Sequence, residues 1–161
     1  MRITSQEEYG LRCLLQLARG PEGQVVSVKD VATKEGLSSA YVEKLLRILS
    51  KAGLVHSLRG LKGGYSLNRP PTQISLGEVI RALGMVQTTE HICSSFTGQE
   101  DACVHFRDCG IRSVWSGLTN YIQSFLDQTM LASLLENEYT VSTQLAQRWL
   151  GASHIRVKGN R

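Results

Sequence analysis

Three of the chain's four cysteines, Cys93, Cys103 and Cys109, lie in one stretch, ICSSFTGQEDACVHFRDCGIRSVW. Nine residues separate the first pair and five the second. Thiolates bind soft metals and iron–sulfur clusters, and three of them in a single loop can converge on one centre. Such centres take four ligands. His91, His105 and Asp108 are the nearby candidates for the fourth, and Glu7 or Glu8 can come from elsewhere, including a partner subunit. The spacing does not separate zinc from iron–sulfur, although the absence of paired CxxC knuckles speaks against a zinc ribbon. Cys13 falls inside a helical pattern and reads as a small buried hydrophobe.

The chain bounds that chemistry. It has 161 residues and 42% hydrophobic content, the size of one domain or one small domain with an appendage. No run approaches the roughly 18 apolar residues of a membrane span. The polar start, MRITSQEEYG, is unlike a secretory signal, so the expected location is the cytoplasm. In a reducing compartment, clustered cysteines point to metal or redox chemistry rather than to structural disulfides. Residues 1–69 carry 11 Lys+Arg against 6 Asp+Glu, whereas residues 70–161 carry 7 against 8. The basic half suits a polyanionic partner, though charge alone is weak evidence for nucleic acid.

The elements that would position these groups are mostly helical. Thr4 and Glu7 form a capping-box pattern, followed by Leu11, Leu14, Leu15 and Ala18 at helical spacing, and Gly20-Pro21 ends the helix. Ser27 caps a short helix that Gly36 closes. Ser38 caps a third, in which Val42, Leu45, Leu46 and Leu49 make an apolar stripe, and Gly53 stops it. Helix, glycine-containing turn, helix is the layout of a helix-turn-helix. Val55–Leu58 and Tyr65–Leu67 alternate like short strands around the basic turn RGLKGG, which makes a wing.

Pro70-Pro71 is the boundary the sequence suggests. Ser75 and Glu78 open a further capped helix, residues 84–109 form a long loop that holds the three cysteines, and a long amphipathic helix follows. Its face, Ile111, Val114, Trp115, Leu118, Tyr121, Ile122, Phe125 and Leu126, is broad enough to bury against a second subunit as well as its own domain. VSTQLAQRWL can form a last helix before a basic tail. The expected fold is therefore mainly α, a winged helix-turn-helix with a two-stranded β wing plus a long dimerisation helix. The expected organisation is residues 1–69 as the DNA-binding unit, 70–135 as cysteine loop and dimerisation helix, and 136–161 as a C-terminal tail.

Chemistry on the third helix fits double-stranded DNA. A recognition helix presents its first turn to base edges, and here that turn carries Ser38, Ser39 and Tyr41. Glu43 can accept from a cytosine amino group and Lys44 can reach guanine or phosphate. Arg47 and Lys51 suit phosphate contacts, which position without specifying. Arg59, on the glycine-rich turn, can enter a narrow minor groove. Any one of these residues alone is equally a solvated surface residue; the joint pattern is the specific signal. No nucleophile–base constellation or phosphate-binding loop stands out, so an enzyme is not expected.

Together these residues resemble the bacterial IscR/NsrR/RirA regulators, also called the Rrf-two family. The resemblance is carried by MRITSQEEYGLRCLL, GLSSAYVEKLLRILSKAGLVHSLRGLKGGYSL, ISLGEVIRAL and the three-cysteine loop before a long helix, and it covers about residues 1–135. It implies a homodimeric winged-helix regulator of a DNA operator. In it Cys93, Cys103 and Cys109 would hold a 2Fe–2S or, alternatively, a 4Fe–4S cluster that changes DNA affinity. It implies base reading by Ser38, Tyr41 and Glu43 and a minor-groove role for Arg59, with Ala40 and Lys44 departing from the pattern. Its IscR-like members place a histidine ligand where this chain has Arg112. Its NsrR-like members use an aspartate of the other subunit where this chain has Glu8. Glu8 is thus the first choice for the fourth ligand and His105 the second. The resemblance points to iron–sulfur assembly genes as targets, and then to nitrosative-stress genes. Two readings stand beside it: a cluster-free thiol/disulfide switch using Cys103 and Cys109, and a zinc-stapled interaction module.

Overall fold

The structure, a computed structural model, describes residues 3–60, 63–84, 98, 103–105 and 107–149. Cys93, His91, Leu61 and Lys62 of the wing turn, and the basic tail lie outside the described residues. Helix α1 spans Ser5–Ala18, α2 Val28–Glu35 and α3 Ser39–Lys51. Strands β1 (Val55–Leu58) and β2 (Gly64–Leu67) follow, then α4 (Leu76–Leu83), α5 (Gly110–Gln128) and α6 (Glu138–Trp149). Short 3-10 turns at Pro71–Gln73 and Leu131–Leu135 complete the path.

Local chemistry sets the helix ends. Thr4 accepts from the Glu7 backbone while the Glu7 carboxylate reaches back to the Thr4 N–H at 2.7 Å, satisfying two groups that the first helical turn leaves without partners. Ser75 and Glu78 repeat the box on α4, where the Ser75 backbone N–H and the Arg69 guanidinium hold the Glu78 carboxyl below its usual range. Ser27 and Ser38 cap α2 and α3, and Gly36 closes α2 in the left-handed region at φ 66°, where a side chain would be strained.

The core lies where α1, α3 and α4 meet. Leu14, Val31, Val42, Leu45, Leu46, Leu49, Ile74, Val79 and Leu131 are fully buried in it. It runs across Pro70-Pro71, since Ile74, Leu76, Val79, Leu83 and Leu131 share one cluster with the helix-turn-helix residues. Gly10 lets α1 approach α4: a side chain there would run into Leu83.

The wing is antiparallel, with Val55 opposite Leu67 and Leu58 opposite Gly64. Val26 extends it by pairing with Tyr65 through two backbone hydrogen bonds of 2.9 Å. At the wing's base, Asn68 donates to the Gly53 carbonyl at 2.7 Å and its side-chain oxygen meets His56 Nδ1 at 2.7 Å.

Helix α5 is about 28 Å long at 1.5 Å per residue. Its C-terminal end is anchored. Arg81 pairs with Asp127 at 2.7 Å, Leu126 packs against the core, and the Leu76 N–H donates to the Thr129 carbonyl at 2.8 Å. Towards its start the apolar face is exposed: Ile111, Val114, Trp115, Leu118 and Tyr121 are 45–67% exposed. Among the described residues, no helix is long and apolar enough to cross a membrane.

Cys13 sits in the core with no exposed surface. Burial, with the nearby Glu35 carboxylate, pushes its thiol from 9.0 up to about 11. The thiolate fraction near pH 8 then falls about a hundredfold, and the thiolate is the reactive species. Brief iodoacetamide treatment at pH 8, read by mass spectrometry, is expected to label Cys103 and Cys109 and to spare Cys13 until denaturant is added. Equal labelling of Cys13 in the native protein would contradict this placement. The contribution of Cys13 to stability is present below pH 9 and is lost as the pH rises through about 11.

Candidate nucleic-acid interface and cysteine site

The apolar stripe of α3 points into the core, so the opposite face is turned outward. Ser38, Ser39, Lys44, Arg47 and Lys51 are exposed, and Tyr41 and Glu43 are half-buried. Ala40, Glu43, Lys44, Arg47, Ile48 and Lys51 line one shallow open groove along this face. Glu43, Lys44, Arg47 and Lys51 thus share one surface, whereas Tyr41 packs partly against the core. Glu43 and Arg47 pair across one helical turn at 2.7 Å. An exposed pair of this kind adds little stability, but it holds both groups in place on this outward face. Arg59 is exposed just before Gly60, whose φ of 114° only glycine adopts readily. The Gly63 N–H closes that turn on the Gly60 carbonyl at 2.9 Å.

A network behind the first turn of α3 was not legible in the sequence. Tyr9 of α1 meets Tyr41 edge-on, with ring centroids 6.2 Å apart and planes at 79°, a favoured geometry for aromatic pairs. The Arg12 guanidinium lies 6.0 Å from the Tyr9 ring centroid and pairs with the largely buried Glu35 at 2.9 Å, which Gln16 also reaches. Helix α1 therefore braces the recognition helix from behind.

At the cysteine site, Cys109 is the cap residue of α5, and its Sγ accepts from the Arg112 N–H at 3.4 Å. Cys103 is half-buried, and both cysteines are free thiols. Arg112 Nη2 donates to the His105 carbonyl at 3.2 Å, tying the segment between the two cysteines to the start of α5. His105 itself is exposed. Of the two carboxylates near the start of α1, Glu7 is buried and committed to the capping box. Glu8 is open, with its side chain 54% exposed and Arg12 3.9 Å away. Among the described residues, no three metal-binding side chains converge; Cys93, which would complete the set, lies outside them.

Helix, turn, helix and wing, with a polar and basic face on the third helix, define a winged helix-turn-helix transcription regulator. The family model for the iron-dependent transcriptional regulator Rrf2 matches residues 3–137, and the chain belongs to the Rrf2 family. It is 33% identical to the protein Rrf2 of Nitratidesulfovibrio vulgaris over 85% of this chain and 89% of that one. Among solved structures it is similar to IscR of T. potens, with 33% identity, a TM-score of 0.64, and 84% of this chain and 86% of that one covered. It is equally similar to CymR (YrzC), described as the global cysteine regulator of B. subtilis, with 32% identity, a TM-score of 0.65, and coverage of 84% and 96%. The family is one of transcriptional regulators, a non-enzymatic role, and it implies DNA binding.

Proposed function

We propose that the protein is a homodimeric, cytoplasmic iron–sulfur regulator whose cluster state alters its hold on a DNA operator. The observation that carries this reading is the position of Cys103 and Cys109: two free thiols just ahead of the helix whose exposed apolar face suits a second subunit. The donor set fits such a group. Cys93, Cys103 and Cys109 would supply three thiolates to a 2Fe–2S or, alternatively, a 4Fe–4S cluster. Glu8 of the partner subunit is the preferred fourth ligand, with His105 second, and the commitment of Glu7 to its capping box favours Glu8 over its neighbour. When bound, the cluster supplies sensitivity to redox state, nitric oxide and iron supply. This chain's residues do the rest. Ser38, Ser39, Tyr41, Glu43 and Lys44 face bases, Arg47 and Lys51 hold phosphates, and Arg59 enters the minor groove. Residues 1–69 act as the reading unit, 70–135 as the sensing and dimerising unit, and 136–161 as the tail. A coupling of about 1–3 kcal/mol between the two sites is enough for a useful switch.

The test is iron and sulfide analysis with an absorbance spectrum on protein purified without oxygen. Coloured protein with matched iron and sulfide is expected, and Cys109→Ala is expected to lose most of both. Protein that stays colourless after anaerobic reconstitution rejects the reading. The likeness to a global cysteine regulator favours one second reading, a cluster-free switch. In it Cys103 and Cys109 lose two protons and two electrons to a peroxide and form a disulfide, while the peroxide is reduced to water. That reading predicts an oxidant response in iron-free protein that Cys103→Ser abolishes.

A further inference from the structure

We infer that Tyr9 and Arg12 of α1 are positioning residues for DNA recognition. With Glu35 they hold both sides of the turn between α2 and α3, and so set how sharply the protein tells one DNA sequence from another rather than how tightly it grips DNA in general. The inference rests on the DNA-reading part of the proposed function and needs no cluster.

Only Gly36, Leu37 and Ser38 join the end of α2 to the start of α3, and each side of that join is tied to α1. Glu35, the last residue of α2, has a side chain only 7% exposed, and Arg12 Nε donates to it at 2.9 Å. Gln16, one turn further along α1, donates to the same carboxylate. A carboxylate buried to this degree is costly without partners, so the end of α2 is held to α1. On the other side, Tyr41, the third residue of α3, meets Tyr9 edge-on, and both rings pack against the core. Arg12 links the two anchors, because its guanidinium also lies 6.0 Å from the Tyr9 ring centroid, within reach of a cation–π attraction. Its other ion pair, with the exposed Glu8 of the same helix, is longer at 3.9 Å.

The two kinds of DNA contact respond differently to a small tilt of α3. Long side chains such as Lys44, Arg47 and Lys51 follow a phosphate through a range of helix positions, and such contacts carry general affinity. Ser38 and Ser39 at the first turn are short, and base-edge hydrogen bonds need their donors and acceptors in register. Releasing Tyr41 from Tyr9 therefore removes discrimination first. Tyr9 acts through Tyr41 and touches no DNA itself.

The experiment compares dissociation constants for two duplexes of equal length at one salt concentration. One is the tightest sequence that the full-length wild-type protein selects from random DNA, and the other is its scrambled counterpart. In Tyr9→Ala the ratio of the two constants should fall at least tenfold, while the constant for scrambled DNA stays within threefold. Tyr9→Phe keeps the ring and should keep the ratio within threefold. In a Tyr41→Ala background, adding Tyr9→Ala should change the ratio less than twofold, since residues that act through one contact are not additive. A ratio for Tyr9→Ala within threefold of wild type overturns the inference. So do equal losses on both duplexes, which mean general loss of structure, and a full tenfold effect that persists without Tyr41. If Tyr9→Ala does not fold, Tyr9→Leu decides: it fills the space without an aromatic edge, and a fivefold fall supports the inference whereas an unchanged ratio overturns it. Wild-type protein that selects no sequence rejects the DNA-reading proposal and this inference with it, whereas an unmoved ratio in a discriminating protein rejects this inference alone.

Discussion

Replacing Trp115 and Leu118 together by glutamate is expected to produce a monomer and to weaken operator binding by about a hundredfold to ten-thousandfold. The exposed half of α5 motivates this. Ile111, Val114, Trp115, Leu118 and Tyr121 recur at helical spacing on one face, and each is 45–67% exposed. A contiguous apolar face of this kind marks a contact surface, and two carboxylates placed in such a contact lose hydration without gaining partners. A dimeric winged helix reads two half-sites one helical turn apart. The second half-site is then bound within the complex at an effective concentration that linkage sets, and that advantage disappears in a monomer. Sedimentation velocity reads the mass and a salt-matched titration reads the affinity. Far-ultraviolet circular dichroism should stay unchanged, because Trp115 and Leu118 are 45% and 47% exposed within their own chain. A variant that remains dimeric would exclude this face as the interface.

The second large effect is on stability. Leu45→Ala is expected to cost about 2–5 kcal/mol, a substantial part of the roughly 5–15 kcal/mol that holds a domain of this size together. Leu45 has no exposed surface and lies on the inner side of α3, between Val42 and Leu49, which are also fully buried. The lost side chain leaves a cavity bounded by helices that pack on three sides and cannot all collapse into it. Urea unfolding should show a lower midpoint with the same slope. Lys51→Ala, an exposed change on the same helix, should stay within about 0.5 kcal/mol. A loss below about 1 kcal/mol for Leu45→Ala would mean that α3 is not seated as described. The consequence reaches function, because the outward face of α3 is positioned by the apolar stripe behind it and by the Tyr9–Tyr41 contact.

Much of this architecture was legible because its signals are local. The capping boxes at Thr4 and Ser75, the caps Ser27 and Ser38 and the stop at Gly36 each act within one helical turn. The helices start and end where those residues place them. The stripe of α3 and the strands around the wing turn are also period signals carried by neighbouring residues. The last helix, expected within VSTQLAQRWL, begins slightly earlier, at Glu138, after Asn137 accepts from the Thr140 N–H at 2.9 Å. The 3-10 turns at Pro71–Gln73 and Leu131–Leu135 carried no readable period, because one turn of helix is too short to show one.

The sequence by itself determined the helix-turn-helix, the wing, the outward chemistry of α3 and the concentration of cysteines before α5. Those properties depend on residues within a few positions of one another. Tertiary structure alone decided which parts of those patterns are spent on the fold and which remain free. The apolar face of α5 has the same period from Ile111 to Leu126, yet only its C-terminal end packs on the core, because Arg81 meets Asp127 and Thr129 pairs beside α4 from positions more than forty residues away. Glu7 and Glu8 are adjacent and chemically alike, yet one is buried in a cap and the other is open. Arg112 stands out in the sequence only as a departure from a histidine, and the fold alone brings its guanidinium to the His105 carbonyl. Periodicity tells a helix which of its sides is apolar, but only the packing of distant segments tells that side what it will touch.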